Sequence, residues 1–263
     1  MEPARIRKED TEMYLTEEDL VRMGLTRKGK WQYTVADIEA LPEGVHAELI
    51  DGELFVRMEA ASPKHQDILT GLVFQIEAYI QRKKGKCRVY SAGLGVRIKK
   101  DIHNYVEPDI TLICNEEKIN LKGCNGAPDF VVEVVSPSNR KMDYVRKLTL
   151  YQEAGVREYW IVDPKHERVT VYFWEQSDSP VLHSFQERIK VGVYDELYLD
   201  IGNLHGTLDE ILDEERQVSR AAGEARLAEL TEWLLREGRM DDLSRALSDL
   251  EYREELYRQN QIN

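Results

Sequence analysis

The sequence predicts an α/β protein with a C-terminal helical extension, and three observations predict it. Two apolar runs rich in β-branched residues, Ile110-Thr111-Leu112-Ile113 and Phe130-Val131-Val132-Glu133-Val134-Val135, read as buried strands. The stretch from Ser136 to Val162 then reads as turn, helix and strand. Strand, helix and strand in such tight order give a parallel βαβ pairing with a right-handed crossover. Beyond Gly202 the chain changes to a long acidic helical pattern. At 263 residues it can bury the core of one domain with material left for an appendage.

Taken in order, residues 1–32 are polar and charged and read as an extension outside the core, in which Thr16-Glu17-Glu18-Asp19 caps a short helix through Leu25. Thr34 caps a short helix, Val35 to Leu41, that Pro42 stops. Ala47–Ile50 and Glu53–Val56 flank Asp51-Gly52, the favoured two-residue hairpin turn, which puts Glu48 on a strand. Ser62-Pro63 opens the first long helix. Its apolar face is Ile68, Leu69, Leu72, Val73, Ile76, Tyr79 and Ile80, and Gly85 ends it. His65 begins the same face, where packing or capping accounts for most histidines. Arg88–Tyr90 and Gly95–Ile98 follow as short strands, then the two carboxylate-bearing strands separated by a polar stretch from Asn115 to Pro128. Ser136-Pro137-Ser138-Asn139 turns the chain into a helix running to Ala154 and stopped by Gly155. Val156–Val162 is a strand, Asp163-Pro164-Lys165-His166 a turn, and Arg168–Trp174 the return.

These elements make a domain over residues 33–202, with Gly202-Asn203 as the seam to a tail over 203–263. In the tail, Leu208 to Glu237 is helical, Gly238 breaks it, and Asp241 caps a second helix through Tyr257. Its apolar positions are too sparse for a domain of its own. They are expected to pack on the core or on a second subunit, which allows a homodimer through the core or the C-terminal helices.

Composition narrows the function classes. The chain is 42% hydrophobic and 32% charged, as soluble globular proteins are. It holds no apolar run approaching the roughly 18–20 residues of a membrane span, and no signal peptide is expected at its start. Cys87, Cys114 and Cys124 are odd in number and lack zinc-ligand spacing, so reduced thiols in the cytoplasm are expected, with Cys114 a small hydrophobe ending a strand. The sequence has no P-loop, G-x-G-x-x-G or G-x-S-x-G. The net charge is −13 but uneven. From Tyr79 to Leu150 there are 14 Lys+Arg against 8 Asp+Glu, and from Gly206 to Asn263 there are 8 against 15. The basic part coincides with the carboxylate strands, where a phosphate backbone would need it. Arg97, Lys99, Lys100, Arg140 and Lys141 are the candidate phosphate contacts.

Asp109, after Pro108 at the head of one apolar run, and Glu133, inside the other, are carboxylates where a buried strand should hold none. An ionised carboxylate there is unfavourable unless a cation or partner offsets it, so the pair suggests a metal site. Hydrolysing a phosphodiester needs such a cation, and magnesium takes a few carboxylates while keeping water and substrate oxygens.

Pro108-Asp109 followed by Glu133-Val134-Val135 resembles the PD-(D/E)XK nuclease signature. The wider set E-L-I-D-G-E-L, S-P-K-H-Q, L-G-V-R-I, V-E-P-D-I, G-A-P-D-F-V-V-E-V-V-S-P-S, K-L-T-L-Y-Q-E-A-G-V and E-Y-W-I-V-D-P resembles the Uma-type putative restriction endonuclease family, a bacterial branch of that superfamily, over Tyr33 to Phe173. The resemblance implies a restriction-endonuclease-like core, a central mixed sheet flanked by helices. It also implies a Mg²⁺-dependent endonuclease acting on DNA, with Mn²⁺ able to substitute. One departure stands out: the signature lysine falls at Val135. The resemblance moves it to the following helix, where Lys147 fits, with Asp143 four residues before it and Lys141 and Arg140 as fallbacks. It carries Glu48 over as a third acidic group beside Asp109 and Glu133. Two alternatives stay open: an inactive nuclease fold serving as a nucleic-acid-binding or protein-interaction module, and a glycosidase. The latter also needs two carboxylates but demands aromatic platforms, for which Trp160 on a buried strand is a poor candidate.

Overall fold

The computed structural model describes residues 5–8, 11–14, 24, 28–29, 31–57, 61–135, 142–260 and 262. The expected helix through Leu25, the Ser136–Asn139 turn, Arg140 and Lys141 lie outside the described residues.

The chain opens with β1 (Arg5–Lys8) and β2 (Thr11–Tyr14), an antiparallel pair. Thr34 caps α1 (Val35–Glu39) through a capping box with Asp37. The Asp51-Gly52 hairpin joins β3 (His46–Ile50) to β4 (Glu53–Arg57), with both turn residues at positive φ. Gly52 is obligatory there, since an added Cβ would sit 2.5 Å from the Trp31 carbonyl oxygen. The 20-residue α2 (Pro63–Arg82) starts at Ser62, whose Oγ accepts the His65 N–H. Then come β5 (Arg88–Ser91), β6 (Val96–Arg97) and β7 (Ile110–Ile113). The expected polar stretch instead holds β8 (Ile119–Asn120) and β9 (Gly123–Asn125), which join β6 in a small sheet. After β10 (Phe130–Val134), a π-helical turn (Met142–Lys147) leads into α3 (Leu148–Ala154), closed by Gly155 in the left-handed conformation. The chain continues through β11 (Glu158–Asp163), β12 (Arg168–Phe173), β13 (Val181–Ser184), β14 (Arg188–Lys190) and β15 (Tyr198–Asp200).

The central sheet is mixed, in the order β13-β12-β11-β10-β7-β5. β10 and β11 run parallel on either side of the α3 crossover, as the sequence predicts, and the other neighbours run antiparallel. Alternation sorts β10 between two cores. Phe130, Val132 and Val134 pack with Ile68, Leu72 and Ile76 of α2, whereas Val131 and Val135 pack with Leu150 and Tyr151 of α3. Glu133 shares the α3 face. The extension expected outside the core contributes strands: β1 pairs with β4 in the sheet order β2-β1-β4-β3.

Two further expectations are corrected. Cys87 and Cys114 are joined in a disulfide rather than reduced, and only Cys124 is free. The β5–β7 register, Arg88↔Ile113, continued by one residue sets the two cysteines face to face across adjacent strands. Chain contacts divide the protein into Met1–Thr207 and Leu208–Asn263. α4 (Leu204–Arg236) begins in the first unit and continues into the second, followed by α5 (Met240–Ser248) and α6 (Leu250–Gln259). The second unit is not too sparse to close a core. Leu230, Leu234, Ala246, Leu256, Tyr257 and Ile262 are buried together, because α5 and α6 return beside the end of α4. The single helix expected through Tyr257 breaks at Asp249, whose carboxylate caps α6 by accepting the Tyr252 N–H.

Candidate active site

Asp109 stands immediately before β7. The register Val132↔Ile110, continued by one residue, sets it opposite Glu133 of β10. Both are buried, Asp109 at 3% and Glu133 at 2% exposure. Asp109 Oδ2 accepts the Val134 N–H at 2.8 Å, which ties the acid to the strand that carries its counterpart. Its Oδ1 lies 3.4 Å from Nε2 of His65, at the first turn of α2.

Lys147 ends the π-helical turn, and its ammonium is buried between two carboxylates. Nζ is 2.9 Å from Glu133 Oε1 and 2.9 Å from Glu48 Oε1. One helical turn on, the Tyr151 hydroxyl donates to the same Glu133 Oε1 at 2.6 Å. Glu48 arrives from β3, and its Oε1 also accepts the Glu107 N–H at 3.1 Å. The structure thus brings Asp109, Glu133, Lys147 and Glu48 into one buried cluster. The side chain of Asp143, expected on the same helix face, lies outside the described residues.

Burial pushes the Glu133 carboxyl up to about 7, opposed by the Lys147 charge and reinforced by Asp109 and Glu48, while the Tyr151 hydrogen bond pulls it down. Burial first, and then the Glu133 charge, hold the Tyr151 phenol well above its ordinary value, so it stays a donor. Not every buried carboxylate here marks a site. Glu158 is fully buried and raised by desolvation, yet Trp160 Nε1 at 2.6 Å and the Val193 N–H at 2.9 Å satisfy its two oxygens, a purely structural arrangement.

Among the described residues no three His, Cys, Asp or Glu side chains form a ready-made metal group. Asp109 and Glu133 do fit a hard divalent cation. They offer oxygen donors from facing strand positions, and magnesium needs only one or two carboxylates beside water and substrate. The carboxylate repulsion that adds to burial in raising Glu133 is what a cation would relieve.

The surface cations behave differently. Arg97 bonds Glu39 at 2.5 Å, where Lys122 joins it at 3.0 Å. Lys99 bonds Glu153 at 2.7 Å, and Lys100 is exposed. These three follow one another through β6 and its turn, and the bonds of Arg97 and Lys99 run to surface carboxylates rather than to the buried cluster. Sequence reasoning missed Tyr151 as a site residue, although its spacing of four from Lys147 was readable. It also left His65 to packing or capping, whereas the ring Nε2 lies 3.4 Å from Asp109 Oδ1.

A mixed sheet that brings two strand carboxylates together with a helix-borne lysine defines the restriction-endonuclease-like class. The Uma2 family, described as putative restriction endonuclease, matches residues 35–199, and the chain belongs to this family. Its activity class is accordingly nuclease, a hydrolase of phosphodiester bonds. The fold is similar to the crystal structure of a putative nuclease belonging to DUF820 from Anabaena variabilis ATCC 29413. The TM-score is 0.54 at 21% identity, covering 66% of this chain and 97% of that one. No curated protein matches the sequence. No helix among the described residues is long and apolar enough to cross a membrane.

Proposed function

We propose that the chain is a Mg²⁺-dependent endonuclease that cleaves DNA, with Mn²⁺ able to replace Mg²⁺. The observation that carries this reading is the Asp109–Glu133 pair, buried on facing strand positions with Lys147 held 2.9 Å from Glu133. Asp109 and Glu133 would hold the cation, which supplies an acidified water and neutralises charge on the scissile phosphate. Asp109 is aimed by the Val134 N–H. Lys147 keeps a positive charge beside Glu133, where it would stabilise charge developing on the attacking water, and Glu48 anchors the ammonium from the other side.

The family's description as putative restriction endonuclease supports DNA rather than RNA as the substrate. The strand would run over Arg97, Lys99 and Lys100, and Arg140 and Lys141 remain candidate phosphate contacts from the sequence. Phosphate would exchange for Glu39 and Glu153 as the partner of Arg97 and Lys99. A cytoplasmic location goes with this substrate, and there the Cys87–Cys114 pair would meet reductant. The domain limits 33–202, and a homodimer through the core or the C-terminal helices, belong to the same proposal.

The test is a cleavage assay on plasmid, single-stranded DNA and RNA with Mg²⁺, Mn²⁺ or EDTA. Nicking of plasmid with either metal and none in EDTA is expected. Salt-sensitive binding without cleavage under every condition would instead make the chain a nucleic-acid-binding module.

A further inference from the structure

We propose that Tyr151 is a positioning residue that fixes which oxygen of Glu133 is offered to the cation; this rests on the metal-dependent reading above. Two donors converge on one atom. Lys147 Nζ at 2.9 Å and the Tyr151 hydroxyl at 2.6 Å both bond Glu133 Oε1. A carboxylate whose one oxygen is held by two donors cannot rotate to exchange its oxygens. Oε2 is then the oxygen left for a cation shared with Asp109.

The phenol ring does not owe its place to that bond. It is fully buried in the apolar core beneath α3 and meets Tyr159 of β11 edge to face at 4.8 Å. Phenylalanine would fill the same space. A hydroxyl at such depth is unfavourable without a partner, and its partner is the metal-binding carboxylate. The two donors also divide the work. Lys147 brings a positive charge that competes with a cation for Glu133. Tyr151 brings none, so it orients the carboxylate without neutralising it. This is the arrangement by which outer groups hold a metal ligand in register, and losing one typically lowers metal affinity about 10- to 100-fold.

The experiment uses the full chain with Tyr151→Phe, and Tyr159→Phe as the control that removes the hydroxyl of the ring packed edge to face on Tyr151. Mn²⁺ binding is measured by titration calorimetry without substrate, thermal unfolding is followed in EDTA, and plasmid cleavage is measured against Mg²⁺ concentration. Tyr151→Phe is expected to unfold near the parental temperature yet bind Mn²⁺ about 10- to 100-fold more weakly. Its kcat should fall at saturating metal with KM for DNA unchanged, and Tyr159→Phe should bind as the parent. Parental Mn²⁺ affinity in Tyr151→Phe, with binding lost in Asp109→Asn, would overturn the proposal and leave the nuclease reading standing. Equal weakening in Tyr159→Phe would also overturn it, reducing Tyr151 to packing. Should Tyr151→Phe fail to fold, 3-fluorotyrosine installed at position 151 alone takes its place in the same calorimetry. There the more acidic phenol should shift Mn²⁺ affinity, and no shift overturns the proposal. Undiminished Mn²⁺ binding in both Asp109→Asn and Glu133→Gln would remove the metal reading itself, and the role of Tyr151 with it.

Discussion

Lys147 and Lys99 each hold a glutamate at nearly the same distance, 2.9 Å to Glu133 and 2.7 Å to Glu153. Distance does not separate them, but burial does. The Lys147 and Glu133 side chains are each 3% exposed, whereas Lys99 is 25% and Glu153 59% exposed. Around Lys99, water screens each charge and the pair contributes at most about 1 kcal/mol. Around Lys147, removing one partner leaves a charge out of water, which destabilises by about 3–5 kcal/mol. A sequence rich in Lys and Glu therefore says little about which pair matters until the fold sets the dielectric. On the proposed reading the buried pair is kept against its desolvation for its chemistry, and the exposed pair would exchange its carboxylate for a phosphate.

The largest expected difference is in rate. Lys147→Met should lower turnover by about 10²- to 10³-fold at saturating Mg²⁺ while still binding metal. Lys99→Met should cleave within a few-fold of the parent, and steady-state kinetics on one plasmid substrate compares them. Equal rates in the two variants would erase the distinction. Parental cleavage in Lys147→Met with a dead Lys141→Met would move the lysine and leave the rest of the account intact.

The next difference is in pH dependence. The Glu133 pKa is raised from its ordinary 4.5 to about 7. Below about pH 4.5 it is protonated in both folded and unfolded chains, and above about 7 it is ionised in both. Between these values the folded, metal-free protein binds more protons, so its stability falls as pH rises, by a contribution of order 3 kcal/mol. Denaturant unfolding in EDTA at pH 5 and pH 8 should show this fall, and Glu133→Gln should flatten it. A parallel pH profile in the variant would take Glu133 out of the titration.

The smallest effect belongs to the surface. Lys99→Glu with Lys100→Glu should change folding stability by less than about 1 kcal/mol. DNA affinity should weaken for all sequences alike, with a shallower salt dependence. Fluorescence anisotropy at several salt concentrations measures it, and unchanged affinity would take this strip out of the binding face.

What the sequence made legible follows from the same contrast. Asp109 and Glu133 stood out because a carboxylate in an apolar β-branched run is an anomaly visible one residue at a time, whereas Val135 marked the missing lysine only against the signature the sequence resembles. The hairpin, α2 and the β10–α3–β11 crossover were legible because their periodicity and turn residues are local. The Cys87–Cys114 bond was not, since it depends on the register of β5 against β7, 27 residues apart. β13 to β15 were missed because short strands with exposed residues, such as Val181 and Leu182, carry no alternation to read. The tail core was missed because Leu230 and Leu234 meet Leu256 and Tyr257 only after two turns that no single-helix stripe reveals. Tyr151 was legible in spacing and opaque in role, because an aromatic four residues from a lysine on a buried helix is core unless a carboxylate waits opposite.

The central claim is that Asp109 and Glu133 together hold the cation, and Mn²⁺ titration calorimetry of Asp109→Asn and Glu133→Gln beside the parent tests it most directly. Each change removes a charge with little change of volume, so both proteins should fold. Asp109→Asn should have stability in EDTA equal to or above the parent's, because two facing carboxylates repel. Glu133→Gln should be less stable, because the buried Lys147 loses one of its two carboxylate partners. The account predicts stoichiometric Mn²⁺ binding by the parent, loss of it in each variant, and loss of cleavage in step. Parental Mn²⁺ affinity and metal-dependent cleavage in both variants would contradict it.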